Sequence, residues 1–205
     1  MKTKSQVLEE VLSSEGERDL CAFLKANPFI LTESLQYLAH PTRVIAEFPL
    51  GTEFYADFLV VAPFSGAIEL RFVEVEPPLS PFFTRDGVLS QRANKALEQI
   101  HSWKIYIEKN RSQLIRDLER FSRERDLIKD RSDDPLTCTA GLSVHHPRMT
   151  FYYTYCILMS RSATLTEEML EQKASFEKNA DVSLVSCDRL FTGAAKIDQF
   201  PEVYE

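Results

Sequence analysis

The sequence predicts an α/β domain in which a mixed central β-sheet is flanked by helices on both sides. Apolar residues recur at three- and four-residue steps before residue 40 and after residue 88, which is the spacing of amphipathic helices. Strand-like segments joined by short turns lie between these regions, and further strand-like segments follow the later helices. Strands joined by short turns should be antiparallel neighbours, whereas strands reached through helices can be parallel.

The opening of the chain is predicted to be helical. Ser14 is a candidate N-cap residue, and Glu17 stands three positions later, which is the spacing of a capping box. Pro28 is expected to interrupt the helical pattern. Residues 1–40 should therefore form an N-terminal helical segment that packs on a core of residues 41–205, within one domain.

Three strands are predicted to follow, over residues 42–48, 54–62 and 67–76. The second is apolar on both faces, so it should lie in the middle of the sheet. Strict alternation gives it one face of Phe54, Ala56, Phe58 and Val60 and another of Tyr55, Leu59 and Val61. The same rule separates Val44, Ala46 and Phe48 of the first strand from Arg43, Ile45 and Glu47.

The second half of the chain predicts helices alternating with strands. Its predicted elements are a loop at 79–88, a long helix at 89–107 that continues or restarts as far as 121, a polar irregular stretch at 122–150, a strand at 151–160, a helix at 166–178, a strand at 182–185 and a terminal turn at 188–191.

Composition restricts the class of protein. The net charge of −7 counts against a protein that coats nucleic acid through a basic surface, although it is compatible with a local binding patch. No apolar run is long enough to span a bilayer, and no secretory signal follows the N-terminus. The four cysteines are widely spaced, which indicates free thiols in a reducing cytoplasm. No motif indicates an organic cofactor.

Three carboxylates interrupt otherwise apolar strands. On the third strand one face reads Ile68, Leu70, Phe72, Glu74 and Glu76, so two carboxylates follow an apolar face. Asp57 interrupts the preceding strand. Buried carboxylates are costly and repel one another, and a divalent cation would relieve both effects. The residues therefore predict a site for Mg²⁺, Mn²⁺ or Ca²⁺ rather than zinc, held by Asp57, Glu74 and Glu76, with Mg²⁺ or Mn²⁺ as the expected cofactor.

Simpler explanations exist for the same side chains. The carboxylates could lie in solvent at strand ends, and Asp57 could form an ion pair with Arg71 or Arg92. Arg92, Lys95 and Gln99 share one side of the long helix, where the two cations are candidate phosphate contacts or ordinary solvated charges. Gln99 borders the apolar stripe, so its amide should find a buried partner.

The stretch 104–131 carries nine Lys or Arg and six Asp or Glu residues. It could follow a phosphate backbone, or it could be a solvated helix with ion pairs four residues apart, such as Glu119 with Arg123.

The motifs of the central region resemble a known family. An acidic residue, then E-x-E on the next strand, then a helix with glutamine resembles the PD-(D/E)xK nuclease superfamily. More narrowly, three blocks resemble the nuclease domain of Shedu antiphage-defence proteins: Glu74-Val75-Glu76-Pro77-Pro78, Pro81-Phe82-Phe83-Thr84-Arg85-Asp86-Gly87, and Ala96-Leu97-Glu98-Gln99-Ile100 with Trp103. The two ends match more weakly, through Glu17, Phe23-Leu24 and Asn27-Pro28 and through Ser186-Cys187-Asp188-Arg189-Leu190.

The resemblance implies a restriction-endonuclease-like sheet and a metal-dependent bacterial endonuclease that hydrolyses DNA in antiphage defence. It implies Asp57 and Glu74 as metal ligands, Gln99 as the helix glutamine and Glu17 as a candidate first-helix carboxylate. Glu76 stands where lysine is more usual; it can bind metal or act as a base, but it supplies no positive charge. DNA and further copies of the chain are the expected partners. The alternative is an inactive nuclease-fold module for oligomerisation or binding.

Overall fold

The computed structural model describes residues 2–14, 16–35, 42–128 and 136–204. The helices of this part of the chain are α1 (Lys4–Leu12), α2 (Glu17–Ala26), α3 (Pro28–Leu35), α4 (Gln91–Lys109), α5 (Arg111–Glu124), α6 (Glu167–Ala180) and α7 (Leu190–Gln199). The strands are β1 (Arg43–Leu50), β2 (Phe54–Phe64), β3 (Ala67–Val75), β4 (Thr150–Leu158) and β5 (Ser183–Val185). None of these helices has both the length and the hydropathy that a membrane span requires.

The five strands form one mixed sheet in the order β1-β2-β3-β4-β5. β1, β2 and β3 pair as antiparallel neighbours, and β4 and β5 join them in parallel. The chain passes from β3 to β4 through α4 and α5, and from β4 to β5 through α6. This confirms the α/β class and the mixed sheet flanked by helices.

Each face of the sheet has its own apolar core. On the face that α4 and α5 cover, Phe72 packs against Trp103, with ring centroids 6.3 Å apart, and against Tyr155 at 5.7 Å. On the other face, which α1, α2, α3 and α7 cover, Phe58 joins a cluster that includes Leu24. Below, these are called the α4 face and the α7 face.

The alternation of side chains reverses at Glu47 in β1 and at Asp57 in β2. Phe48 lies on the α4 face with Ile45, and Ala56 lies there with Leu59, so the predicted assignment of Phe48 and Ala56 by strict alternation is wrong. The neighbouring pairs are Ala46 with Phe58 and Phe48 with Ala56, which leaves Glu47 and Asp57 between them. The backbone of Glu47 has a φ of 50°, in the left-handed region. Because the side-chain alternation reverses at neighbouring positions in β1 and β2, the pairing register between the two strands is kept.

The sequence predicts a capping box of Ser14 and Glu17, and this prediction is wrong, because the capping box lies at the start of α1. It is Thr3 that caps α1, through a reciprocal contact with Gln6, whereas α2 begins after Gly16 without a side-chain cap. Asp198 adds support at the same end of α1, because its Oδ1 accepts a hydrogen bond from Lys4 N at 2.6 Å. Residues 36–40 of the predicted helical segment lie outside the described residues.

The C-terminal region contains a full helix where only a turn is predicted. α7 buries Leu190, Ala194 and Ile197, which recur at four- and three-residue steps and therefore form one helical face. The other predicted boundaries lie within a few residues of the observed ones: α5 begins at Arg111, directly after Asn110, and of the two threonines before α6, Thr164 and Thr166, it is Thr166 that caps the helix. Residues 129–135 of the predicted irregular stretch lie outside the described residues.

Candidate active site

The two central strands separate where the acidic side chains begin. β2 and β3 pair as far as Phe58 opposite Val73. At the next position Asp57 directs its side chain to β3, where its Oδ2 accepts a hydrogen bond from the backbone N–H of Val75 at 2.8 Å. The backbone of β3 therefore fixes this carboxylate, and the carboxylate satisfies an amide that leaves the β2–β3 ladder.

Glu74 and Glu76 lie close to Asp57 at the end of β3. They are buried, with 8% and 5% of their surface exposed. Gln99 donates a hydrogen bond from Nε2 to Glu74 Oε2 at 3.0 Å, and Arg92 donates from Nη1 to Glu76 Oε2 at 3.3 Å. Asp57, Glu74 and Glu76 are called the carboxylate cluster below. Both contacts from α4 end on it.

The surroundings of the cluster favour its protonated forms. Burial, together with the charges of Asp57, Glu76 and Glu17, raises the pKa of Glu74 to about 9. Burial also raises the pKa of Asp57 to about 6, against the Val75 hydrogen bond, which lowers it. The pKa of Glu76 is raised by burial and lowered by Arg92. Without a cation, the buried cluster therefore retains a proton at neutral pH.

Neither of the two alternative ion pairs of Asp57, with Arg71 or with Arg92, is present among the described residues. Arg71 pairs with Glu69, with Nη2 to Oε1 at 2.8 Å, and Arg92 pairs with Glu76. Solvent exposure at the strand end also fails as an explanation, because the cluster is buried or half-buried.

The chain matches the family model described as "Shedu protein SduA, C-terminal" over residues 14–191. It belongs to this family. Membership implies a role of the chain in antiphage defence. The match begins just before α2 and ends within α7, so the whole carboxylate cluster and its contacts from α4 lie inside the Shedu region. A comparison with curated proteins gives no match.

Helix α2 carries Glu17, the predicted first-helix carboxylate, and adds two residues that the sequence did not single out, Cys21 and Lys25. Glu17, Cys21 and Lys25 recur at four-residue steps on α2, and all three interact electrostatically with Asp57. Burial and the charge of Asp57 raise the pKa of the Cys21 thiol to about 12, so it is a neutral neighbour. The spacing is readable in the sequence, since the residues between carry the apolar face of α2.

Three cations surround the cluster from two helices. Lys25 on α2 lowers the pKa of Asp57, while Arg92 and Lys95 on α4 lower that of Glu76. Lys25 also forms an ion pair with Glu47, at the position where β1 reverses its alternation. The structure therefore gathers every side chain proposed for the site and adds Lys25.

The chemistry of the cluster suits a hard divalent cation, but its present arrangement does not form a complete ligand set. The three carboxylates supply only oxygen ligands and are poorly neutralised, and oxygen ligands of this kind are the ones that Mg²⁺ and Mn²⁺ prefer. Across residues 2–14, 16–35, 42–128 and 136–204, no group of three or more His, Cys, Asp or Glu side chains is placed to hold a metal ion. The carboxylate side chains would therefore have to rearrange for all three to share one ion.

Several arginines in and after α5 make contacts within the chain. Arg120 pairs with Glu124 four residues on, and Arg125 donates to the backbone oxygen of Glu47. Glu119 contacts His145, with Oε1 to Nε2 at 2.7 Å, so the expected pair with Arg123 is wrong. These contacts favour a solvated helix over a phosphate track for this segment.

The loop between β3 and α4 depends on one glycine. Gly87 has a φ of 75°, and a Cβ there would lie 2.5 Å from Gln172 Nε2 on α6. We expect Gly87→Ala to lower the free energy of unfolding by about 1–2 kcal/mol, because alanine strains this backbone. Thermal unfolding measures the loss, and Val88→Ala, at an exposed neighbour, should be nearly neutral. In the double variant with Gln172→Ala, most of the lost stability should remain lost. Full recovery of stability would show that the clash with Gln172, and not the backbone φ of residue 87, destabilises Gly87→Ala.

The raised pKa values predict how stability depends on pH in the metal-free protein. In the folded protein Glu74 has a pKa of about 9, above its value in the unfolded chain. The stability that its protonated form contributes is therefore fully present below the unfolded pKa and is lost as pH rises through about 9. We therefore expect Glu74→Gln to become progressively more stable than the wild type as pH rises from about 5 to about 9. Thermal unfolding in EDTA measures the difference; parallel pH profiles would contradict it.

Proposed function

We propose that this Shedu domain is a divalent-metal-dependent endonuclease that hydrolyses DNA phosphodiester bonds, with a site of the PD-(D/E)xK type. The observation that carries the proposal is the close placement of three carboxylates, the buried Glu74 and Glu76 and the half-buried Asp57, whose pKa values remain raised although Lys25, Arg92 and Lys95 partly offset their charge. Such a group is costly to the fold unless it binds a cation. A role in defence against phage accords with an enzyme that attacks DNA.

The three carboxylates have different supports and therefore different roles. Asp57 and Glu74 would hold the ion, since the Val75 amide orients the first and the Gln99 amide orients the second. A bound Mg²⁺ or Mn²⁺ supplies positive charge to the phosphate and lowers the pKa of a coordinated water. Glu76, whose partner Arg92 is half-exposed, is placed to accept a proton from that water or to bind metal.

The cations on either side of the cluster support contact with a DNA strand. Lys25 stands on α2, and Arg92 and Lys95 stand on α4, with the carboxylate cluster between the two helices. A phosphate at the cluster would meet positive charge from both sides, which lowers the repulsion between the acidic chain and the backbone. We propose these residues as phosphate contacts, with Lys25 supplying charge that Glu76 lacks.

Cleavage of supercoiled plasmid tests the proposal. Wild-type protein with MgCl₂ or MnCl₂ should produce nicked or linear DNA, and the same sample in EDTA should not. Intact plasmid in both metals, with protein that remains folded and binds DNA, would contradict catalysis.

A second candidate is a non-catalytic nuclease-fold module that binds DNA or another copy of the chain. It is supported by the Arg92–Glu76 ion pair and by the missing ligand set among the described residues. This candidate predicts that DNA binding survives in EDTA and that no metal produces cleavage, so the plasmid experiment separates the two.

A further inference from the structure

A cleft lies on the α7 face, away from the carboxylate cluster. Its volume is about 430 Å³, and it lies between the end of α3 and α6, over the edge formed by β4 and β5. Its floor includes Arg71 of β3, which alternates with Glu74 and therefore projects to the other face of the sheet. None of the cluster residues lines it.

The cleft concentrates positive charge in an acidic protein. Arg71, Lys173 and Arg189 line it, against the single carboxylate of Glu177. Glu69 lies outside the lining and pairs with Arg71. When its carboxylate is counted as well, the three cations still outnumber the two carboxylates. Two of the three cations are shielded, since the side chains of Arg71 and Lys173 are 21% and 23% exposed, whereas Arg189 is exposed. Shielded cations interact with an anion more strongly than surface cations do.

Hydroxyl groups and an apolar wall complete the lining. Ser162 and Ser186 contribute hydroxyls 2.7 Å apart, which can donate to phosphate oxygens. Leu165 and Leu170 on one side form an apolar wall, and half of the surface of Leu170 is exposed. The size falls in the range of small-ligand sites, which combine apolar walls with a few convergent polar groups.

We propose that this cleft binds a nucleoside monophosphate, with the phosphate against the cations and hydroxyls and the nucleoside against the leucines. A phosphate monoester carries between one and two negative charges at neutral pH, which suits a small positive surplus. The nucleoside accounts for the apolar wall, which a free phosphate would leave uncovered.

Lys173 is the cation best able to turn to such a ligand. Its Nζ contacts Glu177 Oε1 at 3.1 Å, but that oxygen also accepts a hydrogen bond from Leu184 N at 2.6 Å. Glu177 therefore keeps a partner when Lys173 moves. Arg71 and Arg189 are tied to backbone oxygens of α3, at Leu35 and Ser34, so they form the fixed part of the site.

Titration calorimetry with AMP tests the proposal on the full chain in EDTA, where no metal reaches the carboxylate cluster. We expect saturable binding that Lys173→Ala weakens by about tenfold, through loss of one charge-assisted contact. Lys178→Ala, an exposed position on the same helix, should change the affinity less than about twofold. Glu74→Gln should bind AMP as the wild type does.

Three results would overturn the proposal. The first is no saturable heat with AMP at about millimolar concentration. The second is equal binding of AMP and inorganic phosphate, because the apolar wall would then contribute nothing. The third is loss of AMP binding in Glu74→Gln but not in Lys173→Ala, which would place the nucleotide at the carboxylate cluster.

Discussion

Asp57→Asn and Glu74→Gln should each lower Mg²⁺-dependent DNA cleavage by at least about a thousandfold. Each amide keeps the size of the side chain and an oxygen that can accept the existing hydrogen bond from Val75 or Gln99. What is lost is the negative charge that holds the ion. The fold should therefore survive, and initial rates of plasmid nicking measure the loss.

A matched control exists on the same strand. Glu69 is a partly buried carboxylate of β3 that pairs with Arg71 and Thr154, on the opposite face from Glu74. Glu69→Gln should reduce cleavage far less than Glu74→Gln, even if it destabilises the protein. Cleavage by Asp57→Asn at the wild-type rate would exclude the carboxylate cluster as the catalytic site.

Gly193→Ala should destabilise the protein by about 1–3 kcal/mol, although alanine normally favours a helix over glycine by about 1 kcal/mol. A Cβ at this position of α7 would lie 2.6 Å from the backbone oxygen of Ile30 and 2.7 Å from Ser34 Oγ. The close approach of α7 to α3 also places Gly193 N 3.0 Å from Ser34 Oγ, in a buried hydrogen bond. An added Cβ would have to displace the backbone of α3, which cannot move aside as easily as a flexible side chain.

Denaturant unfolding measures this effect against Thr192→Ala. Thr192 is exposed on the same helix, so alanine there should be neutral or slightly stabilising. A stabilised Gly193→Ala protein would show that α7 does not press on α3 as described.

The sheet and the acidic site follow largely from local sequence patterns. Short turns make the first three strands antiparallel, and helical crossovers make the last two parallel. Strand parity places Glu74 and Glu76 on one face with Phe72. These rules are local, so a single sequence is enough to apply them.

The details that complete the site depend on contacts between distant residues. The reversal at Asp57 is matched by Glu47 in the neighbouring strand, and alternating apolar residues on both faces conceal it. It is this reversal that directs Asp57 to the amide of Val75. The place of Lys25 depends likewise on how α2 packs on the sheet, which helical spacing alone does not specify.

The sequence predicts only a turn at α7 for a different reason. Its fully apolar positions are few, chiefly Leu190, Ala194 and Ile197, and Gly193 weakens the helical pattern. The helix is stabilised by packing on α3 and α1, including the contact of Asp198 with the start of α1. Such tertiary stabilisation overrides the weak local preference.

Calorimetric titration of the metal-free protein with Mn²⁺ tests the central claim most directly, that the carboxylate cluster is a cation site. Because burial keeps a proton on Glu74, with its pKa of about 9, binding near neutral pH should release about one proton, measured by comparing buffers of different ionisation enthalpy. We predict saturable binding with this release, and in Glu74→Gln a loss of the release with at least about tenfold weaker binding. Absence of saturable binding, or binding that is unchanged in Glu74→Gln, would contradict the account.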